Sequence, residues 1–391
     1  MFLFPLSILP ASLWLNVLKT LRLTNNKLHA EGRLRALRIL NHQDLLDLVD
    51  GAAIFSAGGG GDPETGYSIA DNLASQGYTV RLVSPSNVPE EARVVNFACV
   101  GATTAIGYDS DAAVKTLKAL EEYVGFSAFA TIPVELGGFN TLAAVDVAAR
   151  RGIPVVDADG AGRSVPEVHL KVYTIDNIPI TPMAVADTHA KNVVIVKETM
   201  DSRAAERIAR VLASEWNQSA YTARRILTSA QVKTSPIQLS LSKSIKIGKL
   251  LRTTIEPIKA VLKETNGFKL FEGVVDDAER KTEAGFTFVN IKLKGTREYA
   301  GETFEFKAKN EVLIAYKNGK LAAIAPDIIT PVHPETGKCI TAEKIEKGDK
   351  IVVLGLPAPE KWRTKKGLEL WKDVLQRSNI FEAYVPIEKL Q

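Results

Sequence analysis

The stretch Phe55–Ser56–Ala57–Gly58–Gly59–Gly60–Gly61–Asp62–Pro63–Glu64–Thr65–Gly66 constrains the fold more than any other part of this 391-residue chain. Four consecutive glycines give up side-chain contacts and cost backbone entropy. They are kept where the main chain approaches a neighbour closely or turns through positive φ. An apolar run at 52–55 leads into them and a helical pattern leads out, with Ile69 and Leu73 on one stripe and Ala70 and Ala74 on the next. Apolar segment, glycine loop and helix start, in that order, offer amide N–H groups and a positive dipole end to an anionic or carbonyl-like ligand. The loop lacks the Lys-Ser/Thr of a P-loop. Counted from Gly58, the third glycine of G-x-G-x-x-G falls on Pro63, and Asp62 and Glu64 would repel a pyrophosphate. Two readings stand: a ligand-cradling loop in which Gly58, Gly59, Gly60, Gly61 and Asp62 bind substrate, and a tight structural turn capped by Asp62.

Apolar content of 46%, charged content of 24% and a net charge of +4 describe an ordinary globular chain long enough for two or three domains. The basic residues are scattered, so a nucleic-acid partner is not expected. Cys99 and Cys339 are the two cysteines and have no C-x-x-C partner, which fits a reducing, cytoplasmic location and argues against a disulfide framework or zinc ribbon. The five histidines show no H-x-H or H-E-x-x-H spacing, so a zinc hydrolase of the usual kind is not expected. Residues 1–15 are apolar but carry Pro5 and Pro10, lack a basic start and are too short to span a bilayer. Residues 19–38 are basic and loosely amphipathic, a pattern open to a membrane-surface anchor. The simpler expectation is that 1–37 is an extension and that the protein proper begins near Leu37–Arg38–Ile39–Leu40.

From Asn41 onward the pattern is α/β. Asn41 caps a short helix expected to stop at Gly51. Strands are expected at 79–83, 94–100, 128–134, 153–156, 171–175 and 192–196. Helices are expected after Asp109–Ser110–Asp111, at 140–151 with Arg150–Arg151–Gly152 closing it, and from Asp201. This rhythm predicts a mostly parallel sheet with flanking helices over 38–198. A basic, Ser/Thr-rich helical connector is expected over 199–266. After Gly267 the period changes to two, and Lys317–Asn318–Gly319–Lys320 between apolar runs is a strong hairpin signal, so 267–391 is expected to be a β-rich domain.

In a sheet of this kind ligands gather beyond the carboxyl ends of the strands. Three loops leave strands there: Gly101–Ala102–Thr103–Thr104 on to Tyr108, the run Pro133–Val134–Glu135–Leu136–Gly137–Gly138–Phe139–Asn140, and Asp157–Ala158–Asp159–Gly160–Ala161–Gly162–Arg163 on to Glu167. Carboxylates, a guanidinium and backbone amides at adjacent strand ends suit hydrolysis of a neutral cyclic amide or imidate. Such a reaction needs a base for water, an acid for the departing group and donors for the oxyanion. Asp157, Glu135, Asp159 and Glu167 are the catalytic candidates, with Asp157 or Glu135 as base; Thr103, Asn140 and Arg163 are substrate-binding candidates. Each acid taken singly also reads as a turn cap, and His169 and His189 as hydrogen-bonded structural residues or proton carriers. Cys99, just before Gly101, reads as a buried apolar residue, or as a nucleophile if it is accessible and near a base. Asp62, Glu135 and Asp157 could also hold a divalent cation, though their spacing specifies none.

The glycine loop, V-E-L-G-G-F-N and V-V-D-A-D-G-A-G-R-S-V-P-E, resemble motifs of the S-methyl thiohydantoin desulfurase family, related to hydantoinases and oxoprolinases. The C-terminal residues Ala325–Pro326–Asp327–Ile328, Glu335–Thr336–Gly337, Leu354–Gly355–Leu356–Pro357–Ala358 and Trp362–Arg363–Thr364 resemble its second domain. The resemblance implies two domains and hydrolytic removal of methanethiol from an S-methylated thiohydantoin ring. By motif match it implies Gly58 to Asp62, Glu135, Asn140, Asp157, Asp159, Arg163 and Glu167 as site residues. It requires no cofactor and leaves a divalent metal open. A small-molecule substrate, a homo-oligomer and a hydantoinase- or oxoprolinase-type partner are the expected associations. The alternative is a non-catalytic ligand-binding or regulatory partner of such an enzyme.

Overall fold

A computed structural model describes residues 37–101, 107–216, 218–283 and 286–391. The N-terminal domain is built on one eight-stranded sheet in the order β1-β2-β5-β4-β3-β9-β7-β8. Its strands are β1 (Leu37–Leu40), β2 (Val80–Val83), β3 (Arg93–Gly101), β4 (Ala130–Pro133), β5 (Val155–Val156), β7 (Met183–Ala186), β8 (Val193–Val196) and β9 (Ser219–Thr228), and β6 (Ala158–Asp159) forms a separate short ladder with β10 (Ile237–Gln238). The run β2-β5-β4-β3 is parallel; β1 and the β9-β7-β8 half are antiparallel. The sheet is therefore mixed, with a parallel centre, rather than mostly parallel.

Helices α1 (His42–Phe55), α2 (Pro63–Ser75), α3 (Ser110–Val124) and α4 (Asn140–Arg151) belong to this domain. Asn41 makes a full capping box with Asp44, and Gly125 and Gly152 end their helices at φ +74° and +69°. The helix begun at Asn41 does not stop at Gly51. It runs on to Phe55, and Gly51 serves a different purpose: a Cβ there would sit 1.7 Å from the Ser244 carbonyl oxygen. On the facing helix a Cβ at Gly248 would sit 1.8 Å from the Asp47 oxygen, so the two backbones touch at a pair of glycines.

Residues 171–175, expected as a strand, contain instead the single helical turn α5 (Val172–Ile175). The region 199–266 is not a purely helical connector. After α6 (Ser202–Glu215) the chain re-enters the first sheet as β9, between β3 and β7, before α7 (Ser229–Thr234), α8 (Ser240–Thr253) and α9 (Pro257–Thr265). The expected helical connector, with the lysines of 235–262 as a solvated face, leaves no place for Arg224 and Arg225, which lie in β9. Both are buried at a bulge in a central strand, where Val95 pairs with Ile226 and Asn96 with Arg224 while Arg225 turns through a φ of +47°. Arg225 is satisfied there, donating to the Ile178 carbonyl (2.6 Å), Thr174 Oγ1 (3.2 Å) and Ser202 Oγ (2.9 Å).

The C-terminal domain is a seven-stranded antiparallel sheet, order β15-β14-β13-β12-β11-β17-β16. It comprises β11 (Phe268–Glu283), β12 (Phe286–Gly295), β13 (Thr303–Lys309), β14 (Glu311–Lys317), β15 (Lys320–Ile324), β16 (Ile328–Val332) and β17 (Lys350–Leu356), with α10 (Lys365–Arg377) following. The expected hairpin is present: Asn318 and Gly319 join β14 to β15 at φ +51° and +75°.

The glycine loop lies in the seam between the domains. Val312 N donates to the Ala57 oxygen (2.8 Å), Ala342 N to the Gly58 oxygen (2.9 Å) and Asn140 N to the Gly60 oxygen (3.2 Å). A Cβ on Gly60 would stand 2.6 Å from the Gly137 Cα, and one on Gly61 2.8 Å from the Phe139 ring, with both glycines at positive φ. Close approach and positive φ both operate, as the sequence demands, and the approaching groups belong to both domains. Among the described residues no helix is long and apolar enough to cross a membrane.

Candidate active site

Above the loop, β3, β4, α4 and β14 enclose a cavity of about 70 Å³, with Gly60, Gly61, Glu135, Lys171, Arg224 and Glu311 among its lining residues. An adjoining hollow of about 90 Å³ shares Gly61, Cys99 and Asn140 with it and is also lined by Asp62 and Tyr108. At roughly 10–15 Å³ of accessible volume per water, the first cavity has room for several waters or one small ring.

Glu135 leaves β4 in the tight turn before Gly137–Gly138. Its Oε1 accepts from Asn140 Nδ2 (2.8 Å) at the start of α4, and its Oε2 from Lys171 Nζ (3.0 Å). Lys171 is 3% exposed, and burial draws its ammonium below the usual lysine range against the pull of Glu135. From the other domain Glu311 enters at the first residue of β14. Its Oε1 accepts from Ser164 Oγ (2.7 Å) and Gly60 N (3.3 Å), while Oε2 has no partner. Burial, and then the nearby Glu135 charge, push the Glu311 carboxyl up to about 7. One cavity therefore holds an ion-paired carboxylate and a second carboxyl that keeps its proton near neutrality, the division of labour acid–base chemistry requires.

The other predicted residues fall into two groups. Glu167 lines the cavity wall but is ion-paired to Lys309 (2.6 Å) and Arg377 (2.8 Å), which outweigh its burial and hold its carboxyl below the usual range. Asp157, Asp159 and Arg163 are committed elsewhere and do not line the cavity. Asp157 holds the start of α8, accepting from Ser242 N (2.9 Å) and Ser242 Oγ, while its carbonyl accepts from Leu239 N (2.7 Å). Asp159 Oδ2 accepts from the amides of Ala161 (2.8 Å) and Gly162 (2.7 Å) and closes its own turn; burial pushes its carboxyl up to about 6 against those bonds. Arg163 ties the domains together, donating to the carbonyls of Pro326 (2.7 Å) and Asp327 (2.9 Å) beneath the Trp371 ring. Asp62 is the N-cap of α2, bonded to Glu64 N (3.2 Å) and Lys344 Nζ (2.7 Å), so the capping reading applies to it while its residue still borders the second hollow. Gly58 and Gly59 pack against Ala342 and Glu311. Thr103 lies outside the described residues.

Asp62, Glu135 and Asp157 each have their own partner and do not converge as a cation site. Glu167, His169 and Glu206 do bring donor atoms within 4.8 Å of one another. Lys309, Arg377 and Arg210 already occupy those carboxylates, so a divalent ion would lie against three cations, and the donor set does not fit one. His169 is buried beside Glu167 (3.4 Å), and His189 is exposed. Burial holds the Cys99 thiol far above the usual range, consistent with an apolar rather than a nucleophilic cysteine.

Glu311, Lys171 and Arg224 were not among the sequence candidates. Each shows one weak signal, charge bordering or inside an apolar run, single at Glu311 and Lys171 (E-V-L-I-A, H-L-K-V-Y) and an Arg pair at Arg224 (T-A-R-R-I-L). Replacing Asp157 by Asn is expected to cost about 1 kcal/mol of stability through the weakened helix start. Any turnover should stay within about twofold, whereas a general base would lose a hundredfold or more. Urea denaturation and steady-state rates on one preparation check both.

A mixed α/β domain and an antiparallel β domain closed over a small charged cavity, with glycine backbone as the joint, define a two-domain protein. The chain belongs to the S-Me-THD-like family: the family's N-terminal domain matches residues 43–197 and its C-terminal domain residues 200–372. A crystal structure of a protein from Chromobacterium violaceum, a target of the Northeast Structural Genomics Consortium, has the same fold. Its TM-score is 0.77 at 24% identity, over 90% of this chain and 100% of that one. No curated protein matches the chain.

Proposed function

We propose that this protein hydrolyses a small five-membered cyclic ureide or thioureide, with S-methyl thiohydantoin as the substrate and methanethiol as the product. The observation that carries the reading is the Glu135–Glu311 pair in one cavity, one acid ion-paired to Lys171 and the other protonated up to about pH 7. Family membership supports the substrate class.

In this reading water adds to the ring carbon that carries sulfur and is doubly bonded to nitrogen. Glu135 takes a proton from the water as its oxygen bonds to carbon, and Glu311 gives its proton to the ring nitrogen, so neither anionic nitrogen nor hydronium has to form. The tetrahedral carbon then holds hydroxyl, methylthio and two ring nitrogens. Its hydroxyl proton returns to Glu311 as the C–S bond breaks, the carbonyl forms, and the thiolate leaves with the proton held by Glu135. Both carboxyl groups regain their starting state, and the balance is one water consumed and one methanethiol released.

Purified protein incubated with S-methyl thiohydantoin should release methanethiol, read by a thiol reagent or gas chromatography. Glu135→Gln, folded by circular dichroism, should release at least a hundredfold less. Absence of release by the wild-type chain, together with stabilisation by a hydantoinase-type partner, would favour the non-catalytic role instead.

A further inference from the structure

Arg224 stands apart from every other cation of the cavity. Lys171 is paired with Glu135, Arg210 with Glu206, and the neighbouring Arg225 with three oxygens. Arg224 is 3% exposed and lines the cavity, its Nη1 has no hydrogen-bond partner, and among the described residues it forms no ion pair. The Glu135 and Glu206 charges act on it through space without outweighing its burial, which draws its guanidinium below the usual arginine range. A buried cation with no hydrogen-bonded anion costs several kcal/mol, and a strand at the centre of a sheet leaves no route for the side chain to reach bulk water. A fixed, planar guanidinium with free donors is the group best shaped to take a carboxylate in two parallel bonds.

We propose that Arg224 is an anion subsite of the cavity and that the ring bound there carries a carboxylate substituent. This rests on the hydrolase reading for the ring, though not for the anion. A negative charge that forms only during the reaction would neutralise Arg224 for an instant, whereas a carboxylate neutralises it for as long as the substrate is bound. A neutral ring filling the cavity would desolvate the guanidinium and bring no opposite charge in return. The substrate class narrows accordingly to hydantoin-type rings with an acidic side arm, held at one end by Arg224 and presented at the other to Glu135 and Glu311.

Binding and turnover are tested separately. Propionate, titrated into the wild-type protein at constant ionic strength, should raise the melting temperature, while propionamide should not. The propionate response should vanish in Arg224→Gln and persist, weaker, in Arg224→Lys. Unliganded Arg224→Gln should melt close to wild type, because the burial cost it removes offsets the through-space attraction of Glu135 and Glu206 that it also removes; a purely structural arginine would lower it clearly. Where turnover is seen, a ring with a carboxyethyl arm should have a KM about a hundredfold below that of the ethyl analogue, with the gap closed in Arg224→Gln and kcat little changed. Equal protection by propionate and propionamide, or a clearly destabilised Arg224→Gln, overturns the subsite. Failure of turnover with propionate protection intact overturns the hydrolase reading and leaves the subsite standing.

Discussion

Glu311→Gln should lower kcat/KM by about 10²–10⁴-fold while leaving the protein folded, because it removes the proton donor and keeps the side chain's shape. The same variant reports on stability with a defined sign. The Glu311 carboxyl is raised from its ordinary 4.5 to about 7 by burial and by the Glu135 charge, so the folded state holds this proton more tightly than the unfolded chain does. Its contribution to stability is fully present below pH 4.5 and is lost as pH rises to 7 and beyond. Glu311→Gln carries no such proton. Relative to it, wild type should weaken by roughly 1–3 kcal/mol between pH 5 and 8 in urea denaturation. The wild-type kcat/KM should fall through the same range as the donor ionises. A stability difference independent of pH would mean that Glu311 is not held protonated, and the acid–base assignment would go with it.

Gly51→Ala should abolish soluble folded protein or cost more than about 3 kcal/mol. The added methyl would stand 1.7 Å from the Ser244 oxygen on α8, a contact that only separation of the two helices can relieve. Gly248→Ala should act alike from the other side, where its Cβ would meet the Asp47 oxygen at 1.8 Å. Gly77→Ala is the contrasting case. It has positive φ (+71°) but no atom within 4 Å, so it should cost only the conformational strain of about 1–2 kcal/mol. Melting temperatures of the three variants separate crowding from backbone strain. A mild Gly51→Ala would show that the helices have freedom to move apart.

The pairing of α1 with α8 also explains one misreading of the sequence. A glycine after an apolar helical stripe ordinarily marks a helix end, and only the partner helix, almost two hundred residues later, shows why Gly51 lies inside one. The strand β9 was hidden in the same way. A basic, Ser/Thr-rich stretch reads as helical until the strands on either side of it in the sheet are known.

The sequence by itself determined what depends on neighbours a few residues away. The capping box at Asn41, the Asp62 cap, the Asn318–Gly319 hairpin and the glycines' need for close approach follow from local backbone chemistry. Glu135 and Asn140 could be found because four residues and one turn bring them together. The tertiary structure alone decided which acids share a cavity. Asp157 looks no less catalytic than Glu135 along the chain, yet α8 claims it, while Glu311 arrives from the second domain to meet Glu135. The physical reason is burial: the proton affinity of a carboxyl is set by the water it loses and the charges it faces, and these come from whichever segments fold over it.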